Sequence, residues 1–298
     1  MINSLMQFFK LIRIHQWSKN LLIFVPLLVS PELENILLWQ DLILAFFAFS
    51  LCSSTSYIIN DIIDLKNDQA HPIKKFRPIA SGFFTVNTSV SFAILIGLIC
   101  ISLSILISGL FCAALFIYFI ASQGYSFKFK KIHLIDCIVL SLLYMMRIIA
   151  GALAASLNIS IWLLSFSLFF FFSFALLKRY SELLNHASDS ISSFGRGYAK
   201  QDLPLVMNMG ISSAFISILV IGLYFNDDSV YLNYYEPRFL FLLLPILLIW
   251  ICSIWSRVVK GVEINDPISF ALTDRISLII FFLSAAIFII ARYKILSI

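Results

Sequence analysis

The sequence predicts an all-α polytopic membrane protein of nine transmembrane helices, and three observations carry that prediction. Of its 298 residues 61% are hydrophobic and only 12% charged, where soluble chains run near half apolar and a quarter charged. The mean hydropathy of +0.97 asks for a solvent other than water. The apolar residues also fall into runs of about 20, the length a bilayer requires. The aromatic balance agrees: 30 Phe against 11 Tyr and 5 Trp suits rings that face lipid or pack between helices. A disordered chain, a disulfide scaffold and a soluble two-domain enzyme are excluded.

Residues 1–18 come first and read as an interfacial segment. They mix Phe8, Phe9, Leu11 and Ile12 with Lys10 and Arg13, which suits a short helix on the membrane surface rather than a cleavable signal. Nine spans come after it, at 19–31, 40–63, 86–107, 109–125, 134–156, 160–182, 203–224, 238–257 and 273–295. The first is short, its end blurred by Pro31, Glu32 and Glu34. Only Ser108–Gly109 separates the third from the fourth, a tight hairpin. No connection is long enough to fold alone, so residues 1–298 read as one integral-membrane domain, helical because backbone polar groups in lipid must be satisfied internally.

Charge orients the bundle. With a cytoplasmic N-terminus, one face collects Lys10, Arg13, Lys19, Lys66, Lys74, Lys75, Arg77, Lys128, Lys130, Lys131, Lys178, Arg179, Arg196, Lys200, Arg257, Lys260 and Arg275. The other receives Arg238, Arg292 and Lys294 among Glu32, Glu34, Asp41, Asp227, Asp228 and Glu236. This is a positive-inside pattern, expected of the inner (cytoplasmic) membrane, and it puts a reporter fused after Ile298 outside. The five cysteines sit alone in apolar runs and read as packing residues. The four histidines form no HExxH, so zinc has no support. Gly195-Arg196-Gly197 lacks the strand and third glycine of a dinucleotide site.

The chemistry gathers on the basic face. Asp61, Asp64 and Asp68 fall at i, i+3 and i+7, which puts three carboxylates on one helical stripe, with Asn60 beside them. Oxygen ligands without His or Cys suit Mg2+ shared with phosphate oxygens. The bland alternative is a solvated helix end, but three like charges on one face repel without a cation. His71-Pro72-Ile73-Lys74-Lys75-Phe76-Arg77-Pro78 then makes a constrained loop whose Lys74 and Arg77 are natural phosphate partners. Acids for a divalent metal beside cations for phosphate describe a diphosphate site.

These residues carry a resemblance. Asn60–Asp68 reads NDxxDxxxD, the first signature of the UbiA-type intramembrane prenyltransferases, and the likeness covers essentially the whole chain. Within that family it resembles the decaprenyl-phosphate phosphoribosyltransferase branch. Four segments carry this finer likeness: Gln16-Trp17-Ser18-Lys19-Asn20, Asn60 to Gly82, Lys178-Arg179-Tyr180-Ser181-Glu182, and Asp274-Arg275. Arg147-Ile148-Ile149-Ala150-Gly151 is a further match. Ordinary family members carry a second DxxxD near the end of span six; here Lys178 replaces its first acid and Glu182 stands at its last. A second metal site is thereby weakened and a phosphate contact favoured, unless Lys178 and Glu182 are only a surface ion pair.

The resemblance implies 5-phosphoribosyl 1-diphosphate as donor, a polyprenyl phosphate as acceptor and Mg2+ as cofactor, with cell-wall arabinose supply as the branch's pathway. Asp61, Asp64 and Asp68 would hold the metal, and Asp61, Asp64, Lys74 and Arg77 would take the charge of the leaving diphosphate. Lys128, Lys130, Lys178 and Arg179 are candidates for the 5-phosphate; Gln16, Lys19 and Asn20 are further substrate contacts, with Asn60 and Glu182. Arg147, inside a span, either pairs with an acid such as Asp136 or Glu182 or binds the lipid phosphate. The Phe-rich sixth span either packs or walls a polyprenyl groove. Two rivals remain: an aromatic prenyltransferase of quinone biosynthesis with a prenyl diphosphate donor, and a transporter. Lys178 and the proline loop argue against the first; acids clustered at one face without repeat symmetry argue against the second. Nothing points to a nucleic-acid partner, and polyprenyl length and any homo-oligomer have no signature.

Overall fold

The computed structural model describes residues 2–185, 197–264 and 266–293. Arg196, Lys294, Ile298 and most of the Gly195-Arg196-Gly197 motif lie outside the described residues. Helices form α1 (Ile2–Leu11), α2 (Val25–Leu28), α3 (Ile36–Ile63), α4 (Leu65–Ala70), α5 (Val86–Ile107), α6 (Gly109–Phe127) and α7 (Ile135–Ala154). They continue through α8 (Ile161–Asn185), α9 (Leu203–Tyr224), α10 (Asp228–Asn233), α11 (Leu243–Val259), α12 (Pro267–Thr273) and α13 (Arg275–Arg292). Among the described residues eight helices are long and apolar enough to cross a membrane, judged by length and composition. The chain divides into two compact units, Met1–Lys128 with Met146–Asn158, and Phe129–Met145 with Ile159–Ile298.

The ninth expected span, 19–31, has another form. Ile14–Phe24 is a 3-10 helix of 11 residues, continued by the single turn α2. Pro26 brings no N–H to extend a ladder. The stretch runs antiparallel along α3: Arg13 meets Asp61, Trp17 Nε1 donates to Ser54 Oγ at 3.1 Å, Asn20 Nδ2 donates to Ser50 Oγ at 2.9 Å, and Phe24 packs on Phe46 with centroids 5.9 Å apart. Residues 13 to 24 at about 2.0 Å rise cover about 22 Å. Residues 46 to 61 of α3 at about 1.5 Å cover the same length, so the tighter coil matches its neighbour with fewer residues.

Elsewhere in the first unit the polar punctuation caps the helices. Asn35 accepts from the Leu37 N–H at the start of α3, and Thr85 from the Thr88 N–H at the start of α5. Ser108, extended, ends α5 and caps α6 by accepting from the Phe111 N–H at 3.0 Å, which makes the expected hairpin. A Cβ at Gly151 would lie 2.0 Å from the Ile23 carbonyl oxygen, so only glycine lets α7 approach the 3-10 stretch.

In the second unit α8 packs chiefly on α9. Gly210 there faces the Trp255 ring, with a Cβ position only 2.4 Å from it. Asp274 caps α13 by accepting from the Ser277 N–H at 2.9 Å and takes Arg257 Nη1 at 2.7 Å. Partial burial works against its charge, but these partners outweigh it and hold the carboxyl below its ordinary range.

Candidate active site

Within the first unit, α3 carries the acid signature to its end. Asp61 is 4% and Asp68 2% exposed, both far more buried than a solvated helix end allows. The helix breaks at Asp64 (φ −83°, ψ 8°) and restarts as α4. Helical hydrogen bonds still carry across, from Asp64 N–H to Asn60 O at 2.9 Å and from Asp68 N–H to Asp64 O at 2.8 Å. Asp61 and Asp68 therefore keep one side, while half-buried Asp64 sits at the joint.

The proline loop returns a cation to the two acids. His71 Nδ1 accepts the N–H groups of Ile73 and Lys74 at 3.2 and 3.3 Å and starts the turn. Arg77 is extended, the conformation a residue before proline prefers. Its Nη1 donates to Asp61 Oδ1 at 3.0 Å and to Asp68 Oδ2 at 2.6 Å. Arg13, from the joint after α1, donates to the same Asp61 oxygen. In the sequence Arg13 is only one more charge on the basic face; no local spacing links it to an acid 48 residues away.

Around this cluster Asn60 Nδ2 donates to Ser126 Oγ at 2.8 Å. Lys74 and Lys75 are exposed, with Lys75 over the Phe76 ring, and Lys128 is exposed at the end of α6. Gln16 and Lys19 are half-buried on the 3-10 stretch. Buried Asn20 instead accepts from Arg147 Nε at 2.9 Å. Arg147 Nη2 donates to the Tyr118 hydroxyl at 3.0 Å, and its guanidinium lies 5.3 Å from the Phe49 ring and 5.1 Å from that of Tyr118.

Among the described residues no three Asp, Glu, His or Cys side chains converge as a finished metal cage. The three-carboxylate set read from the stripe is thus not gathered at one point. Two of its members are: Asp61 Oδ1 and Asp68 Oδ2 already converge on one cationic nitrogen. Hard oxygens of this kind fit Mg2+ with further ligands from a phosphate.

The second unit, taken by itself, holds a buried cluster. Arg179 is 2% exposed; its Nη2 lies 2.6 Å from Asp136 Oδ2, its Nη1 donates to Glu182, and its guanidinium covers the Tyr198 ring. Asp136, fully buried, also accepts from the Tyr198 hydroxyl. Burial, Cys137 and the bond to Asp136 all push the Tyr198 phenol up, so it stays a protonated donor. These contacts correct one expectation: Arg179 holds carboxylates rather than standing as an open phosphate contact. Lys178 and Lys130 are half-buried.

Long apolar helices, one of them ending in an acid-rich signature, define an integral membrane protein with a polar site at a helix end. The chain belongs to the UbiA prenyltransferase family, whose model matches residues 23–285. An uncharacterised Sinorhizobium fredii protein, y4nM, is 36% identical over 94% of this chain, which spans only 55% of that relative's length. The nodulation protein NoeC of Azorhizobium caulinodans is 31% identical over 90% of this chain and 87% of its own. The decaprenyl-phosphate phosphoribosyltransferase of Corynebacterium glutamicum is 32% identical over 74% of this chain and 68% of its own. A UbiA homolog from Archaeoglobus fulgidus, solved with GPP and Mg2+, shares the fold: TM-score 0.70 at 16% identity, over 95% of this chain and 97% of that one.

Proposed function

We propose that this protein transfers 5-phosphoribose from 5-phosphoribosyl 1-diphosphate to a polyprenyl phosphate at the cytoplasmic face of the inner membrane. The observation that carries the reading is the pair Asp61 and Asp68 bridged by Arg77. It supplies acids for a divalent cation and a guanidinium for phosphate in one place. The likeness to the Corynebacterium phosphoribosyltransferase supports the choice of donor.

Asp61 and Asp68 would hold Mg2+, with Asp64 beside them. Bound there, the metal would neutralise charge on the donor diphosphate. Arg77 then donates to the diphosphate oxygens as the bond from ribose C1 to the diphosphate breaks, and Lys74 adds charge from the same loop. Ribose C1 gains oxocarbenium character, and an oxygen of the lipid phosphate bonds to it. Diphosphate leaves with the electron pair of the broken bond. A phosphate monoester has its second pKa near 6, so the attacking oxygen needs no general base. In the same unit Lys128 is a candidate cation for the 5-phosphate, and Gln16 and Lys19 are candidate contacts of the acceptor.

The test incubates purified protein with labelled 5-phosphoribosyl 1-diphosphate, Mg2+ and a polyprenyl phosphate. Label moving into the lipid extract, abolished by EDTA and lowered at least about 100-fold by Asp61→Asn, is the expected result. Turnover only with a prenyl diphosphate and an aromatic acceptor would hand the site to the quinone-type reaction.

A further inference from the structure

Arg13 stands at the acid pair with no task in the phosphoribosyl transfer. It pairs with the Asp61 oxygen that Arg77 also holds, and its guanidinium lies 4.7 Å from the Tyr57 ring centroid. Its backbone is left-handed, φ 51° and ψ 50°. Few non-glycine residues adopt that conformation, and those that do are held by their surroundings and cluster at ligand clamps. Arg13 and Arg77 are 21% and 29% exposed against 4% for the acid side chains. The guanidiniums thus cover the carboxylates and are themselves the more exposed partners.

Charge balance decides where these guanidiniums go when a ligand arrives. Two guanidiniums balance two carboxylates in the arrangement seen. A divalent cation on Asp61 and Asp68 competes with both arginines for the same oxygens. The diphosphate that arrives with the metal offers replacement acceptors of equal charge character. We propose that Arg13 is a diphosphate-binding residue: paired with Asp61 beforehand, it transfers to diphosphate oxygens when metal and diphosphate take the acids. This rests on reading the acid pair as a diphosphate site, but not on whether ribose or a prenyl chain is attached.

The experiment measures binding on the full chain in lipid nanodiscs, using Mn2+ monitored by electron paramagnetic resonance and then inorganic diphosphate added with Mn2+. Arg13→Gln should bind Mn2+ alone several-fold more tightly, because a competing cation has left Asp61. It should bind diphosphate about ten-fold more weakly. Arg13→Lys should lie between, keeping charge but losing the planar fork. Lys10→Gln, on the same surface helix, should match the wild type in both. Diphosphate binding unchanged in Arg13→Gln, Mn2+ binding no tighter, or a wild type that binds no diphosphate would each overturn the proposal. Should Arg13→Gln fail to fold, Arg13→Lys decides: a few-fold loss of diphosphate affinity supports it and no loss overturns it. Wild type that behaves as expected here yet transfers no phosphoribose would sink the phosphoribosyl reading alone.

Discussion

Removing a charge whose partner stays buried costs far more than removing one that water can replace. Arg179 faces a fully buried Asp136 and a Glu182 on its own helix. Arg179→Met would strand Asp136, at a cost of about 3–5 kcal/mol, and should lower the thermal midpoint in detergent by several degrees. A wild-type midpoint in Arg179→Met would show that the ion pair does not hold the cluster. In the sequence Lys178 and Arg179 look alike, both basic and both at the end of a span. What the structure adds is that Arg179 meets a buried acid 43 positions away, and no local pattern encodes it. Arg13 and Asp61 repeat the lesson. The acid stripe is legible because its three members share one helical period, whereas its arginine partner arrives from another segment.

Elements show a different limit. Hydropathy locates every long span to within a few residues, since a helix in lipid must be apolar along its length. It does not choose between α and 3-10 coil, because both leave the same composition. The 3-10 stretch Ile14–Phe24 results instead from tertiary fit, with its carbonyl at Ile23 against Gly151 of α7. Gly151→Ala forces Cβ to within 2.0 Å of a backbone oxygen that no rotamer change can move. It should destabilise by about 1–3 kcal/mol, read as a lower thermal midpoint. Gly97→Ala, whose Cβ would meet only the Thr55 side chain at 3.8 Å, is the matched control and should be neutral or slightly stabilising. Equal midpoints for the two variants would mean that α7 can back away without loss. The break at Asp64 belongs at this scale as well: a continuous helix read from sequence spaces three acids evenly, whereas the joint keeps Asp61 and Asp68 together and leaves Asp64 half-buried.

For the whole molecule the open quantity is parity. Eight described helices meet the length and composition of a span, and an even number of crossings puts both ends of a chain on one side. The stretch from Arg13 to Phe24 changes that count, because it lies antiparallel to α3 from Asp61 to Phe46. If α3 crosses, a neighbour that accompanies it over about 22 Å carries the chain across as well. Nine crossings then put the N-terminus and Asp61 on the basic, cytoplasmic side and the C-terminus outside. Alkaline phosphatase, active only outside, and a fluorescent protein, bright only inside, should be fused in turn after Ile298 and before Met1. The expected pattern is an active phosphatase and a dark fluorophore at the C-terminus, with the reverse at the N-terminus. Both ends reporting from one side would make the count even and leave Ile14–Leu28 embedded without crossing. Arg13 would then have to reach Asp61 from within the bilayer. Opposite ends would instead explain why a 3-10 coil is used here at all: its longer rise lets 15 residues, 11 in the 3-10 stretch and 4 in α2, cover about 28 Å, near the thickness that an α-helix needs about 20 residues to cross.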